Sequence, residues 1–178
     1  MSIYVLVSFY ATIRYNIFGN VLLKDFPLYI TNKILIFSSI ILLLILNINP
    51  KKYKNTILPH LINISFMIHI LLSLLILNPY YFDSFFTEKG SFTLLAGLGL
   101  LSGFIAYGIY VKVNKVQKHK HILSQIFLFF VALHLFFLGY KNWITPQNWY
   151  GYLPPISLIN FLLILLIFYF KNKRLLNK

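Results

Sequence analysis

Six runs of predominantly apolar residues alternate with short polar stretches along the chain. They fall at about Ile3–Leu22, Ile30–Ile48, Ile57–Leu77, Phe92–Val113, His121–Tyr140 and Ile156–Phe170. Five are 19–22 residues long and the sixth is 15, against the roughly 20 residues that a helix needs to cross a hydrocarbon core. Backbone groups in lipid must be satisfied within their own segment, so the runs are expected to be helices. The fold class that follows is an all-α integral membrane protein: a six-transmembrane-helix bundle formed by one domain over residues 1–178. Asn49-Pro50 ends the second run, and Pro59 sits in the first turn of the third, where a missing N–H costs little. The first run is interrupted by Arg14, which can snorkel if it lies near the far end of its helix. A five-span arrangement, with the first run lying in the interface, is the alternative. The N-terminal MSIYVLVSFYATIRY lacks a basic leader and a small-residue cleavage site, so a retained span is expected there.

The polar stretches give an orientation. Lys51, Lys52 and Lys54 separate the second and third runs, and Lys112, Lys115, Lys118 and Lys120 separate the fourth and fifth. Lys171, Lys173, Arg174 and Lys178 follow the sixth. With six spans these share one side, and the positive-inside rule makes it cytoplasmic, with both termini inside. Arg14, Lys24, Lys33, Lys89 and Lys141 fall outside or near the outer ends. The last connection, GYKNWITPQNWYGYLPPIS, is rich in aromatic residues, and Trp143, Trp149, Tyr150 and Tyr152 suit a membrane–water interface. The fourth run carries Gly99 and Gly103, a small-xxx-small pair that lets a helix approach its neighbour closely.

Composition agrees with the pattern. The chain has 178 residues, of which 59% are hydrophobic and 11% charged, and its mean hydropathy is +0.77. The formal charge of +13 would suggest nucleic acid in a soluble protein. Here the charge lies in loops between apolar runs, so nucleic acid is not an expected partner and the lipid bilayer is. There is no cysteine, which excludes disulfides, thiolate ligation and iron–sulfur clusters held by this chain. The only acids are Asp25, Asp83 and Glu88, all in loops or at segment ends. A metal within the membrane would therefore depend on histidine.

The five histidines are His60, His69, His119, His121 and His134. An ionisable side chain inside a span is costly and marks a candidate functional site. His69 lies twelve residues after Ile57 and His134 twelve after Ile122. At about 1.5 Å per residue both are about 18 Å from the inner boundary of parallel spans. Two histidines at one depth can supply both axial positions of a haem iron, a ligation that suits electron transfer. Zinc would want three or four converging ligands, and a purely structural histidine pair is the other reading. His121 is a candidate ligand of a second haem near the inside. Its only histidine counterpart on the third span is His60, nine residues from His69 and so turned to the opposite face. His119 and His121 read equally as interfacial side chains among lysines.

TNKILIFSSIILLLILNINP, ILPHLINISFMIHILL and HILSQIFLFFVALHLFFLGYK together resemble the ferric reductase-like transmembrane family over roughly Tyr29 to Lys141. That family includes b-type haem electron-transfer domains and the haem-binding membrane subunit of the periplasmic methionine-sulfoxide reductase system. The thirteen-residue step from His121 to His134 is typical of its fifth span, and His69, His121 and His134 match its ligand positions. Its remaining inner position falls at about Asn55. The methionine-sulfoxide branch usually has a basic pair followed by a Leu-Gly step, where this chain has Asn55-Thr56 and Leu58-Pro59.

The resemblance implies a haem b protein of the bacterial inner membrane, holding one haem on His69 and His134, with His121 the candidate for another. No GxGxxG motif is present, so the expected role is an electron-transfer subunit without its own flavin or nicotinamide domain. A quinol or a separate flavoprotein would donate electrons. A ferric chelate or a partner reductase, such as a methionine-sulfoxide reductase, would accept them outside. The alternative is a cofactor-free membrane assembly factor or small transporter. Arg14, with Lys33 as second choice, is a candidate partner for a haem propionate, against plain snorkelling.

Overall fold

The computed structural model describes residues 2–19, 26–53, 55–80 and 120–176, and among these every regular element is helical. Helix α1 is Ser2–Thr12 and continues as a π-helical turn over Ile13–Ile17, closed by Phe18 N–H donating to Ile13 O at 3.1 Å. A second π-helical turn, Phe26–Ile30, leads into α2, Thr31–Ile48. After a short turn at Pro50–Tyr53 come α3, Leu58–Tyr80, then α4, Lys120–Trp143, and α5, Ile156–Leu176. Among the described residues four stretches are long and apolar enough to cross a membrane: Leu28–Ile48, Leu58–Ile76, Ile122–Trp143 and Tyr150–Lys173. They coincide with the second, third, fifth and sixth runs of the sequence, and the chain is an all-α, multi-span membrane protein. The first run is helical as far as Ile17. The fourth, 92–113, with its Gly99–Gly103 pair, lies outside the described residues.

Local chemistry sets the helix ends. Asn49 caps the Pro50–Tyr53 turn, its Oδ1 accepting from Lys52 N–H at 3.3 Å, and Pro50 opens the turn where no amide hydrogen is needed. Thr56 Oγ1 accepts from Leu58 N–H at 3.3 Å ahead of α3, and Pro59 occupies the first turn. Pro155 O accepts from Leu158 and Ile159 at the head of α5.

Helix α2 is the centre of the bundle, packed closely against α1, α3 and α5. Ser38 and Ser39 are fully buried on it, where small side chains permit close approach of neighbouring helices. Ser39 donates to Leu35 O at 2.6 Å and Asn47 to Leu43 O at 2.8 Å, so these polar groups are satisfied within their own helix. One apolar cluster joins Ile36, Ile40, Ile62, Phe66, Leu128, Val131, Leu135, Ile164 and Ile167, from four helices. A second joins α1 to the starts of α2 and α5 through Val7, Ala11, Tyr15, Ile30, Phe37 and Ile156.

The contacts fix the helix directions. Asn32 at the start of α2 bonds Ser73 late in α3, so these two are antiparallel. The starts of α2 and α5 share a cluster, so these two are parallel. Lys171 bonds Ser124, and Trp143 donates to Ser157 at 3.0 Å, so α4 and α5 are antiparallel. Helices α3 and α4 therefore run the same way, as the depth match of His69 and His134 requires. The same directions bring Lys51, Lys52, Lys171 and Lys173 to one end of the bundle. Arg14, Lys33 and Lys141 lie toward the other.

Gly139 is buried where α4 crosses α5, and a Cβ there would run into the Trp143 indole and the Ser157 hydroxyl. Gly139→Ala is expected to break the Trp143–Ser157 bond and force the helices apart. The expected cost is about 1–3 kcal/mol, read as a lower Tm in detergent. An unchanged Tm would show that the crossing tolerates the methyl.

Candidate functional site: the two intramembrane histidines

His69, on α3, and His134, on α4, are both half-buried. The two rings are close enough to interact electrostatically. Nearer the lysine-rich end the same helices meet through Phe66 and Phe127, ring centroids 5.7 Å apart and edge to face. On the parallel helices His69 lies three residues beyond Phe66, and His134 seven beyond Phe127. Backbone packing is closest for α3 on α2 and for α4 on α5. Ile62 and Phe66 of α3 and Leu128, Val131 and Leu135 of α4 are buried in one apolar cluster with residues of α2 and α5.

His69 has a defined partner. Its Nδ1 lies 2.5 Å from Asn32 Oδ1 on α2, and Asn32 Nδ2 donates to Ser73 Oγ at 3.1 Å. Asn32 is only 7% exposed, so this amide is an interior group. Ser73 is four residues after His69 and so lies on the same face of α3. Sequence reading missed Asn32 and Ser73. The signal was an amide near the outer end of an otherwise apolar span, and a hydroxyl one turn from a buried histidine.

The donor set discriminates between metals. Among the described residues no group of three or more His, Cys, Asp or Glu side chains converges. A zinc site would need such a group. A haem iron needs only two protein ligands, because the macrocycle supplies the rest. His69 with its Nδ1 hydrogen-bonded is the usual arrangement of a metal-ligating imidazole. Two histidines are as many ligands as a haem iron asks of the protein.

The other expected residues are placed as follows. His121 lies in the first turn of α4, at the lysine-rich end. His60 is exposed on the first turn of α3, and Asn55 is exposed in the turn before it, so both counterparts considered for His121 face out of the bundle. His119 lies outside the described residues.

Arg14 is only 4% exposed, and it does not extend into solvent as snorkelling would have it. Its Nη1 donates to Leu153 O and, at 3.4 Å, to Tyr150 O. The guanidinium also lies over the rings of Tyr15 and Tyr150, at 5.2 and 5.3 Å. Arg14 thus pins the last connection to the end of α1. The connection is built for this. Gly151 has φ +58, and a Cβ there would overlap the Phe18 ring. Tyr10 donates to Pro154 O at 2.6 Å, and Trp149 to Asn142 O at 2.6 Å. Lys33, at the start of α2, lies within electrostatic range of His69, and its ammonium sits over the Tyr29 ring at 5.1 Å.

Comparison with known proteins finds no matching family model, curated protein or solved structure.

Proposed function

We propose that this membrane protein holds one haem b between His69 and His134 and passes electrons from one face of the membrane to the other. The observation that carries the reading is the approach of two intramembrane histidines on parallel helices, one of them fixed through Nδ1 by Asn32. Haem bound there supplies reversible one-electron transfer, and ligation by two histidines leaves no open position for substrate. Ile62, Phe66, Leu128, Val131 and Leu135, on the same two helices, belong to the buried apolar cluster. Lys33 supplies positive charge at the outer side of the site, where a propionate would be stabilised. The spacing and placement of His69, His121 and His134 support kinship with the ferric reductase-like transmembrane family. A second haem at His121 has no support from His60 or Asn55, and one haem is the reading adopted.

With the lysine-rich end cytoplasmic, in a bacterial inner membrane, a quinol or a separate flavoprotein donates there. The acceptor, a ferric chelate or a partner reductase such as a methionine-sulfoxide reductase, meets the opposite end. Reporter fusions after Lys54, Lys118 and Lys178 are expected to read as cytoplasmic, and those near Glu88 and Pro146 as external. An external signal at Lys118 would overturn the orientation.

Electron transfer itself is tested in proteoliposomes that enclose ferricyanide, with dithionite outside. Haem-loaded protein is expected to bleach the trapped oxidant, and His69→Ala to leave it at the rate of empty vesicles. Equal rates for wild type and empty vesicles would refute the relay.

A further inference from the structure

A neutral imidazole carries one N–H and one bare nitrogen, and only the bare nitrogen can bind a metal. Which nitrogen of His69 is bare is decided outside the ring. We infer that Asn32, held by Ser73, is a positioning residue: its Oδ1 takes the Nδ1–H of His69, so that Nε2 carries the lone pair offered to a metal. The inference rests on the proposed haem ligation for its purpose, but the tautomer it assigns is a property of the chain alone.

The amide of Asn32 has a donor end and an acceptor end, and turning it over would reverse the result. With Nδ2 toward the ring, Nδ1 would have to accept, Nε2 would hold the proton, and His69 could not ligate through it. The sense of the amide is given at the ring, where Oδ1 lies 2.5 Å from Nδ1, and Ser73, whose hydroxyl can both accept and donate, holds the amide in place. Its Oγ lies 3.1 Å from Nδ2, which donates to it. The same hydroxyl lies 3.4 Å from Oδ1, which can take its proton. Oδ1 is thus the acceptor for both His69 and Ser73. Asn32 sits in the second position of α2 and Ser73 one turn beyond His69 on α3, so two rigid helices hold the three groups in place. In a low-dielectric interior such a chain of hydrogen bonds is strong, and an unmet group in it is expensive. A hydrogen bond at the far nitrogen also raises the basicity of a ligating imidazole, favouring the oxidised metal.

The test begins without haem. Protein labelled with ¹⁵N in its histidine rings is purified in detergent, and the His69 signals are identified by their loss in His69→Gln. Wild type and Asn32→Asp, which keeps an acceptor, are expected to show a protonated Nδ1 and a bare Nε2. Asn32→Leu is expected to shift the ring toward the other tautomer. Should that variant fail to purify, Asn32→Ala, which also removes the acceptor, is expected to shift it in the same direction. A wild-type ring protonated mainly at Nε2, or a wild-type tautomer balance in a variant without the acceptor, overturns the inference. In haem-loaded protein, Asn32→Leu is expected to raise the midpoint potential and Asn32→Asp to lower it. Potentials identical in all three proteins would also count against it. Absence of haem from wild type would refute the proposed function and leave the tautomer result standing, so the two failures are distinct.

Discussion

His69→Ala and His134→Ala are each expected to abolish most of the low-spin haem signal, and the double variant to lose little more. On the proposed ligation, loss of either imidazole would leave the iron one protein ligand short, and the low-spin signal would go with it. Both side chains would then act on one atom, so their effects would not be additive, and a double-mutant cycle should give a coupling close to the full single-site loss. His60→Ala is expected to be nearly silent, since His60 is exposed on the first turn of α3. His121→Ala is expected to do little if one haem is bound. The readout is the reduced-minus-oxidised spectrum of each purified variant, normalised to protein. Full loss in His60→Ala with retention in His69→Ala would mean that α3 presents a different face, and the assigned site would be wrong.

Arg14→Leu is expected to be the most destabilising single change outside the histidine pair. The charge is buried, its Nη1 donates to the carbonyls of Leu153 and Tyr150, and two tyrosine rings flank it. Leucine leaves those carbonyls without this donor, at roughly 1–3 kcal/mol for each that finds no substitute. The expected fall in Tm is roughly 5–10 °C, followed in detergent by loss of the monodisperse species. Arg14→Lys should recover only part of it, because an ammonium lacks the planar fork. The midpoint potential should not move in either variant, since Arg14 is committed to the loop. A shifted potential with unchanged Tm would instead assign Arg14 to the haem propionate.

The spans were legible because membrane helices are encoded by run length, which needs no knowledge of the fold. Leu28–Ile48 and Leu58–Ile76 match the apolar runs to within about two residues for this reason. The parallel course of α3 and α4 was legible too, since spans separated by an even number of crossings run the same way. The fate of Arg14 was not. Its partners are backbone carbonyls 139 and 136 residues away, and a carbonyl belongs to every residue, so no side-chain pattern announces the contact. The end of α1 was misread as regular helix for a related reason. The π-helical turn at Ile13–Ile17 carries both Arg14 and Tyr15 inward, two adjacent residues that an ordinary helix would place about 100° apart. Asn32 was passed over because one amide in an apolar run shows its face only when its neighbours are known. The small-residue pair at Gly99 and Gly103 belongs to the part of the chain outside the described residues.

Haem ligation by His69 and His134 is read in the visible spectrum of the purified protein. Protein from cells supplied with a haem precursor is recorded in detergent before and after dithionite. The account requires a Soret band that shifts on reduction, with the sharp visible bands of low-spin haem b. Colourless protein from those cells, or an unaltered low-spin spectrum in the His69→Ala His134→Ala double variant, would contradict it.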